Sequence, residues 1–338
     1  MEPFSDTPTL DRTIDDGERE LVPMRRRLVV NTFVMVFVVL TAACVGFLLS
    51  TARPATSDES WWIFGIVTGV VLIVVLAVRL AARGRLTAAG EVTQMRLIHA
   101  IDPGVGFTPR SGVERDTFQR ANVHGGRFFN RYNGSDLWHV DSIAASHLVV
   151  EHQYTRTYSV TEYYTDARGQ QQSRIVQKTE QCVDTVFSGT LVVMPHDPPM
   201  PVELVMSRDA GLARKLVPQL MANADVSRHW PVIASNDGVA AHRYLEPAML
   251  EQLAGLPAKL GVVPTVILRD RWLYVALPGV RIGAGRLPGV WTGASAADLR
   301  QMAADCEGSI RLLRDLGRVL WGRPSTARPC RRPMTHSI

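Results

Sequence analysis

Residues 28–49 read LVVNTFVMVFVVLTAACVGFLL and residues 61–80 read WWIFGIVTGVVLIVVLAVRL, two apolar runs parted by a short polar connector. The first holds no charge and one strongly polar residue, Asn31, and the second stays uncharged until Arg79. A helix rises about 1.5 Å per residue, so about 20 apolar residues match a hydrocarbon core of about 30 Å. Neither run carries the polar stripe of a core helix, and both read as transmembrane helices. The expected fold class is therefore membrane-anchored α+β: two N-terminal transmembrane helices, then a cytoplasmic domain of antiparallel β-sheet with flanking helices.

Basic residues set the expected orientation, because Arg and Lys are retained on the cytoplasmic side. Arg25, Arg26 and Arg27 precede the first run, and Arg79, Arg83 and Arg85 close the second. The connector carries only Arg53 beside Asp58 and Glu59. This predicts a multi-pass protein of the cell membrane with both termini cytoplasmic, the lipid bilayer as a partner, and Trp61 and Trp62 as outer interfacial anchors. Gly65 and Gly69 form a small helix-packing face for the first run or for another copy of the chain.

About 250 residues follow the second run, enough for one sizeable domain or two small ones. Lys and Arg number 37 against 32 Asp and Glu, and the excess is accounted for by the flanks of the apolar runs and the C-terminal tail, so no nucleic-acid partner is expected. Cys44, Cys182, Cys306 and Cys330 have neither zinc nor redox spacing.

Periodicity divides the chain into a disordered arm (1–27), the apolar helical hairpin (28–80, with an outside loop at 51–60), juxtamembrane helices (81–121), an α+β domain (122–321) and a disordered basic tail (322–338). The tail is proline- and arginine-rich, and contact with anionic lipid head groups is a partner expectation for it. Within the domain, Asn133 and Gly134 lie between aromatic runs and give a hairpin signal. ASHLVVEHQYTRTYSVTEYYT is a long β-branched, tyrosine-rich strand, returned through QSRIVQKTEQCV and DTVFSGTLVVM, with Gly189 a bulge or close approach. Pro247 opens a helix in its first turn, and residues 263–268 and 272–277 form a hairpin turning at Asp270. Ser295 and Asp298 begin a long helix with a capping-box pattern.

The order of RYNGSDLWHV, the long hairpin, FSGTLVVM, HWPVIASNDGVAAHRYLEPAMLEQL and RDRWLYVALPG resembles a bacterial two-span membrane family, catalogued as domain of unknown function three-one-three-seven. That pattern runs Tyr-x-Gly-Asp, Phe-x-Gly, Phe-x-Val-x-Ser and Leu-x-Pro over most of the chain from Leu28 to Leu277. Here Ser135 separates Gly134 from Asp136, Trp230 stands where Phe is usual, and Glu246 precedes Pro247. The resemblance implies an architecture and a location. It implies no activity and transfers no catalytic residue.

The candidate polar site is His139 with Asp141, which share a strand face and offer an imidazole and a carboxylate. His147 and His152, an odd number apart, point to opposite faces. No metal signature is present, and no cofactor is expected. DPGVGF at 102–107 lacks the Lys-Ser/Thr of a phosphate loop, and Ser188 lacks the strand-to-helix context of a nucleophile elbow. Tyr154, Tyr158 and Tyr164 share one face of their strand and form a candidate recognition surface. The expected function is a non-catalytic binding module at the inner face of the membrane that engages a protein partner, a lipid head group or a small ligand, with a homo-oligomer as a further partner expectation. The alternative is a membrane-tethered, hydrolase-like enzyme.

Overall fold

Two helices of 43 residues each, α1 (Leu10–Ala52) and α2 (Glu59–Ile101), lead the chain. The computed structural model describes residues 9–52, 59–165, 169–196, 202–219, 224–245, 247–283 and 295–321. They belong to two compact units: Met1–Gly104 with Ala284–Ser309, and Val105–Gly283 with Ile310–Ile338.

In the first unit the buried positions recur in steps of three, four and seven. They are Ile14, Gly17, Leu21 and Leu28 on α1, and Leu86, Gly90, Thr93 and Leu97 on α2. The last helix, α7 (Ala296–Trp321), contributes Leu299, Met302 and Cys306 in the same steps. This spacing is a heptad seam, so each helix buries one stripe against the others. Gly17 lies against Thr93 and Leu299 at the point where all three meet. Glu20 pairs with Arg96 at 3.2 Å, and Glu18 accepts a hydrogen bond from the Ala296 amide. At the start of α7 the Ser295 hydroxyl donates to Asp298 at 2.6 Å, and the Asp298 carboxyl is held below its usual range by hydrogen bonds from the Ser295 side chain and backbone.

The membrane expectation is corrected here. Among the described residues no helix is long and apolar enough to cross a membrane. Two transmembrane helices at 28–49 and 61–80, a membrane-anchored fold class and a multi-pass location in the cell membrane are therefore not supported, and the orientation drawn from the arginines loses its premise. Phe33, Phe37 and Ile73 are exposed. The side chains of Trp61, Trp62 and Gly65 lie outside the described residues, as do the loop at 53–58 and the tail at 322–338. Residues assigned to a disordered arm are helical from Leu10, with Pro23 inside the helix, because the seam buries Ile14 and Leu21.

Among the described residues the second unit is built on a nine-stranded antiparallel sheet. Its strands are β1 (Gly106–Thr108), β2 (Arg131–Val140), β3 (Ile143–Thr165), β4 (Gln171–Pro195), β5 (Leu204–Ser207), β6 (Val217–Pro218), β7 (Val232–Ser235), β8 (Thr265–Arg269) and β9 (Trp272–Pro278). The order is β1-β2-β3-β4-β9-β8-β5-β7-β6. Short helices accompany it: α3 (Arg115–Ala121), α4 (Ala224–His229), α5 (Gly238–Tyr244) and α6 (Pro247–Leu260).

Phe118 of α3 is fully buried among Phe129, Tyr132 and Phe187, with ring centroids 5.6–5.7 Å away. Trp230 is fully buried too, and its indole N–H donates to the Pro264 carbonyl at 2.6 Å, so no donor is left unsatisfied there.

Asn133 and Gly134 do not turn the chain. They lie inside β2, paired with Val149 and Leu148, and the β2–β3 turn falls at Asp141 and Ser142. Gly134 serves close approach instead, since a Cβ there would sit 2.7 Å from the Gly112 Cα. At Gly189 a Cβ would lie 2.2 Å from the Leu277 carbonyl oxygen of the neighbouring strand. Replacing Gly189 with Ala should therefore lower unfolding free energy by about 3 kcal/mol or more in urea titrations. Gly255→Ala, in open space on α6, should raise it by about 0.5–1 kcal/mol. Equal effects at the two positions would refute this account of the sheet.

Candidate interaction surface

The pairing of β3 with β4 outruns the sheet. β2 accompanies β3 only as far as Glu151, and β9 accompanies β4 only from Gly189, whereas β3 and β4 stay paired out to Thr165 and Gln171. A two-stranded ribbon projects, about 45 Å long at roughly 3.3 Å per residue. Its base is braced by Asn130, whose side-chain amide donates to the Gln153 carbonyl at 2.7 Å and accepts from the Gln153 N–H at 2.8 Å. One side chain thus extends the β2 edge by a rung.

Beyond the irregularity at Val150/Glu151 the register is unbroken, so alternate residues divide cleanly between two faces. Tyr154, Tyr158 and Tyr164 share one face, and each is 39–44% exposed. Among the described residues the same face carries every charge of the ribbon beyond Glu151 and Thr185: Arg156, Glu162, Arg174, Lys178, Glu180 and Asp184. Glu162 reaches Arg174 at 3.1 Å and Lys178 at 3.0 Å across the strands, and the two hydrogen bonds hold its carboxyl below the usual range. The Arg174 guanidinium stands 5.7 Å over the Tyr164 ring. At the base, His152 sits between Phe128 and Tyr154, with centroids at 5.2 and 5.1 Å. Tyr154 bonds Asp184 and Cys182 of the opposite strand, and the Asp184 charge raises its phenol above the ordinary range. Among the described residues the opposite face carries no charge.

His139 and Asp141 have separate surroundings. His139 is exposed beside Gly106 of β1, and desolvation lowers its pKa. Asp141 occupies the β2–β3 turn at φ 54°, with its carboxylate 3.7 Å from the Arg314 Nε. No hydrogen bond or ion pair joins them among the described residues. Nothing lies within 4 Å of a Cβ built on Gly69.

A second polar cluster was not read from sequence. Asp136 sits at φ 58° in the β2 irregularity and pairs with Arg281 at 3.0 Å. Ser135, His147 and Thr190 line up across β2, β3 and β4. The fully buried Thr190 donates to the Val280 carbonyl at 2.8 Å and accepts from the Ile282 N–H at 3.1 Å, pinning the chain after β9. The Ser135-x-x-Trp138 irregularity and a pairing across 145 residues leave no local signal.

No family model matches the sequence, and no curated protein matches it. Among solved structures, the crystal structure of the mycobacterial trehalose monomycolate transport factor A is similar at 12% sequence identity with a TM-score of 0.29, covering 69% of this chain and 98% of that one. At that score the likeness carries no argument about fold or function.

Burial, aided by Arg281, lowers the His147 pKa against the opposing influence of Asp136 and the Val280 carbonyl. His124 is lowered by burial and by Arg127 and Arg269. With these groups and His139 depressed, the unfolded chain binds protons near pH 6.5 that the folded chain does not, so stability falls as pH drops below about 6.5. In chemical denaturation from pH 7.5 to 5, His147→Gln should make that decline shallower by up to one proton per molecule and leave stability above pH 7 without added slope. An unchanged slope would remove His147 from the account.

Proposed function

We propose that this chain is an interaction protein whose projecting β3–β4 ribbon presents the tyrosine-bearing face to a protein partner. The observation that carries the reading is the segregation of the described charges, with Tyr154, Tyr158 and Tyr164, onto one face of a ribbon that no other described strand covers. Aromatic rings with few rotatable bonds, set beside the paired Glu162, Arg174 and Lys178, suit recognition of a protein surface at low entropic cost. Arg156 and Glu180, aligned across the strands near the middle, would set the register of such a contact. Membership of the family of unknown function whose motif order the chain resembles belongs to the same proposal, and it adds no activity to it.

The reading is tested with a photo-crosslinking benzoylphenylalanine introduced at position 158, and separately at 157, in cells expressing the full chain. A discrete adduct with a different protein is expected from position 158, and from 157 no adduct other than one with a second copy of this chain, with the heteromeric adduct lost when Tyr154 and Arg156 are both changed to Ala. Matching adduct patterns from the two positions, or no adduct from 158, would overturn it.

A further inference from the structure

The uncharged face of the ribbon calls for its own explanation. From Gln153 to Thr165 on β3 and from Gln171 to Val183 on β4, its alternate positions hold only Thr, Ser, Gln, Val, Ile and Tyr, in a chain that is 20% charged. At its middle the cross-strand pairs are Thr155 with Gln181, Thr157 with Thr179, and Ser159 with Gln177. Tyr163 and Ile175 near the tip are 75% and 76% exposed, and Val183 near the base is 50% exposed.

We propose that this face is a homodimer interface, in which two copies of the chain stack their ribbons across a two-fold axis, tip to base. Three observations favour a second copy over a different protein or a nucleic acid. The face has no charge, so it repels no copy of itself and offers nothing to steer a charged partner. Hydroxyl and amide side chains each donate and accept, which lets one such surface satisfy its own duplicate, as an isologous contact requires. The apolar residues sit at opposite ends, so antiparallel stacking lays Tyr163 and Ile175 of one copy over Val183 of the other, with Thr157 and Thr179 meeting their equivalents near the axis.

The size of the face sets the strength. About 45 Å by about 10 Å from each copy removes roughly 900 Å² in total from water, short of the approximately 1,200 Å² at which standard interfaces begin. The dimer is accordingly weak and concentration-dependent, with a dissociation constant of about 10 µM or above. This inference goes beyond the partner reading, because it concerns the other face.

The test is sedimentation of the purified full chain from about 1 to 200 µM, together with disulfide formation under mild oxidation. Wild type should shift from monomer toward dimer across that range. The double variant Thr157→Arg, Thr179→Arg should weaken association at least tenfold with an unchanged circular dichroism spectrum, and Tyr154→Ala with Tyr158→Ala should leave it intact. Independently of any folding defect in the arginine pair, Thr157→Cys, at the axis, should form an intermolecular disulfide far faster than Tyr158→Cys on the other face. A chain that stays monomeric throughout, a dimer indifferent to the arginine pair, or equal disulfide yields at 157 and 158 would overturn the proposal.

Discussion

The continuous antiparallel ladder between β3 and β4 governs the second unit. It links the meander formed with β1 and β2 to the strands that follow through β9, and it fixes which side of every residue faces inward. Where other strands flank it, Leu148 and Val150 on β3 and Leu191 to Val193 on β4 are buried. Where the flanking strands stop, the same ladder continues without a core. Side chains there are selected for each other and for what they meet outside the molecule.

That change of environment explains the composition of the ribbon. A two-stranded hairpin alone is marginal in water, because its backbone pairing leaves few apolar contacts to offset the ordering cost. The tyrosine-bearing face supplies compensation through Glu162 with Arg174 and Lys178, the Arg174–Tyr164 contact, and the His152–Tyr154 stack. Exposed ion pairs are worth about 1 kcal/mol at most, so these contacts register the strands more than they stabilise them. Asn130 adds a rung only at the base, which makes the tip the first part to open.

Local patterns carried much of this into the sequence. The period-two run from His147 to Tyr164 placed Tyr154, Tyr158 and Tyr164 together, and the Ser295/Asp298 spacing announced the cap of α7 that the hydrogen bonds form. What failed was whatever depended on a partner distant in sequence. Gly134 follows Asn133 as a turn glycine does, but it is glycine because Gly112 crosses it. Ile14, Leu21 and Leu28 are too sparse to signal a helix until α2 and α7 supply the rest of the seam. Asp136 and Arg281 lie 145 residues apart. The apolarity of 28–49 and 61–80 is plain from composition, yet among the described residues no helix is long and apolar enough to cross a membrane.

The two faces of the ribbon also constrain each other. In a regular strand a one-residue slip exchanges the faces completely, so a slipped hairpin would carry Arg156 and Glu162 to the neutral side and leave threonines where the tyrosines stand. The cross-strand pairs of Glu162 oppose such a slip because they exist only in the observed register. The irregularity at Val150/Glu151, placed where cover from β2 ends, absorbs the offset between the core-facing and projecting halves of the hairpin. A charged face that fixes its own register therefore also keeps the opposite face free of charge, and the distinctness of the two surfaces follows from one ladder.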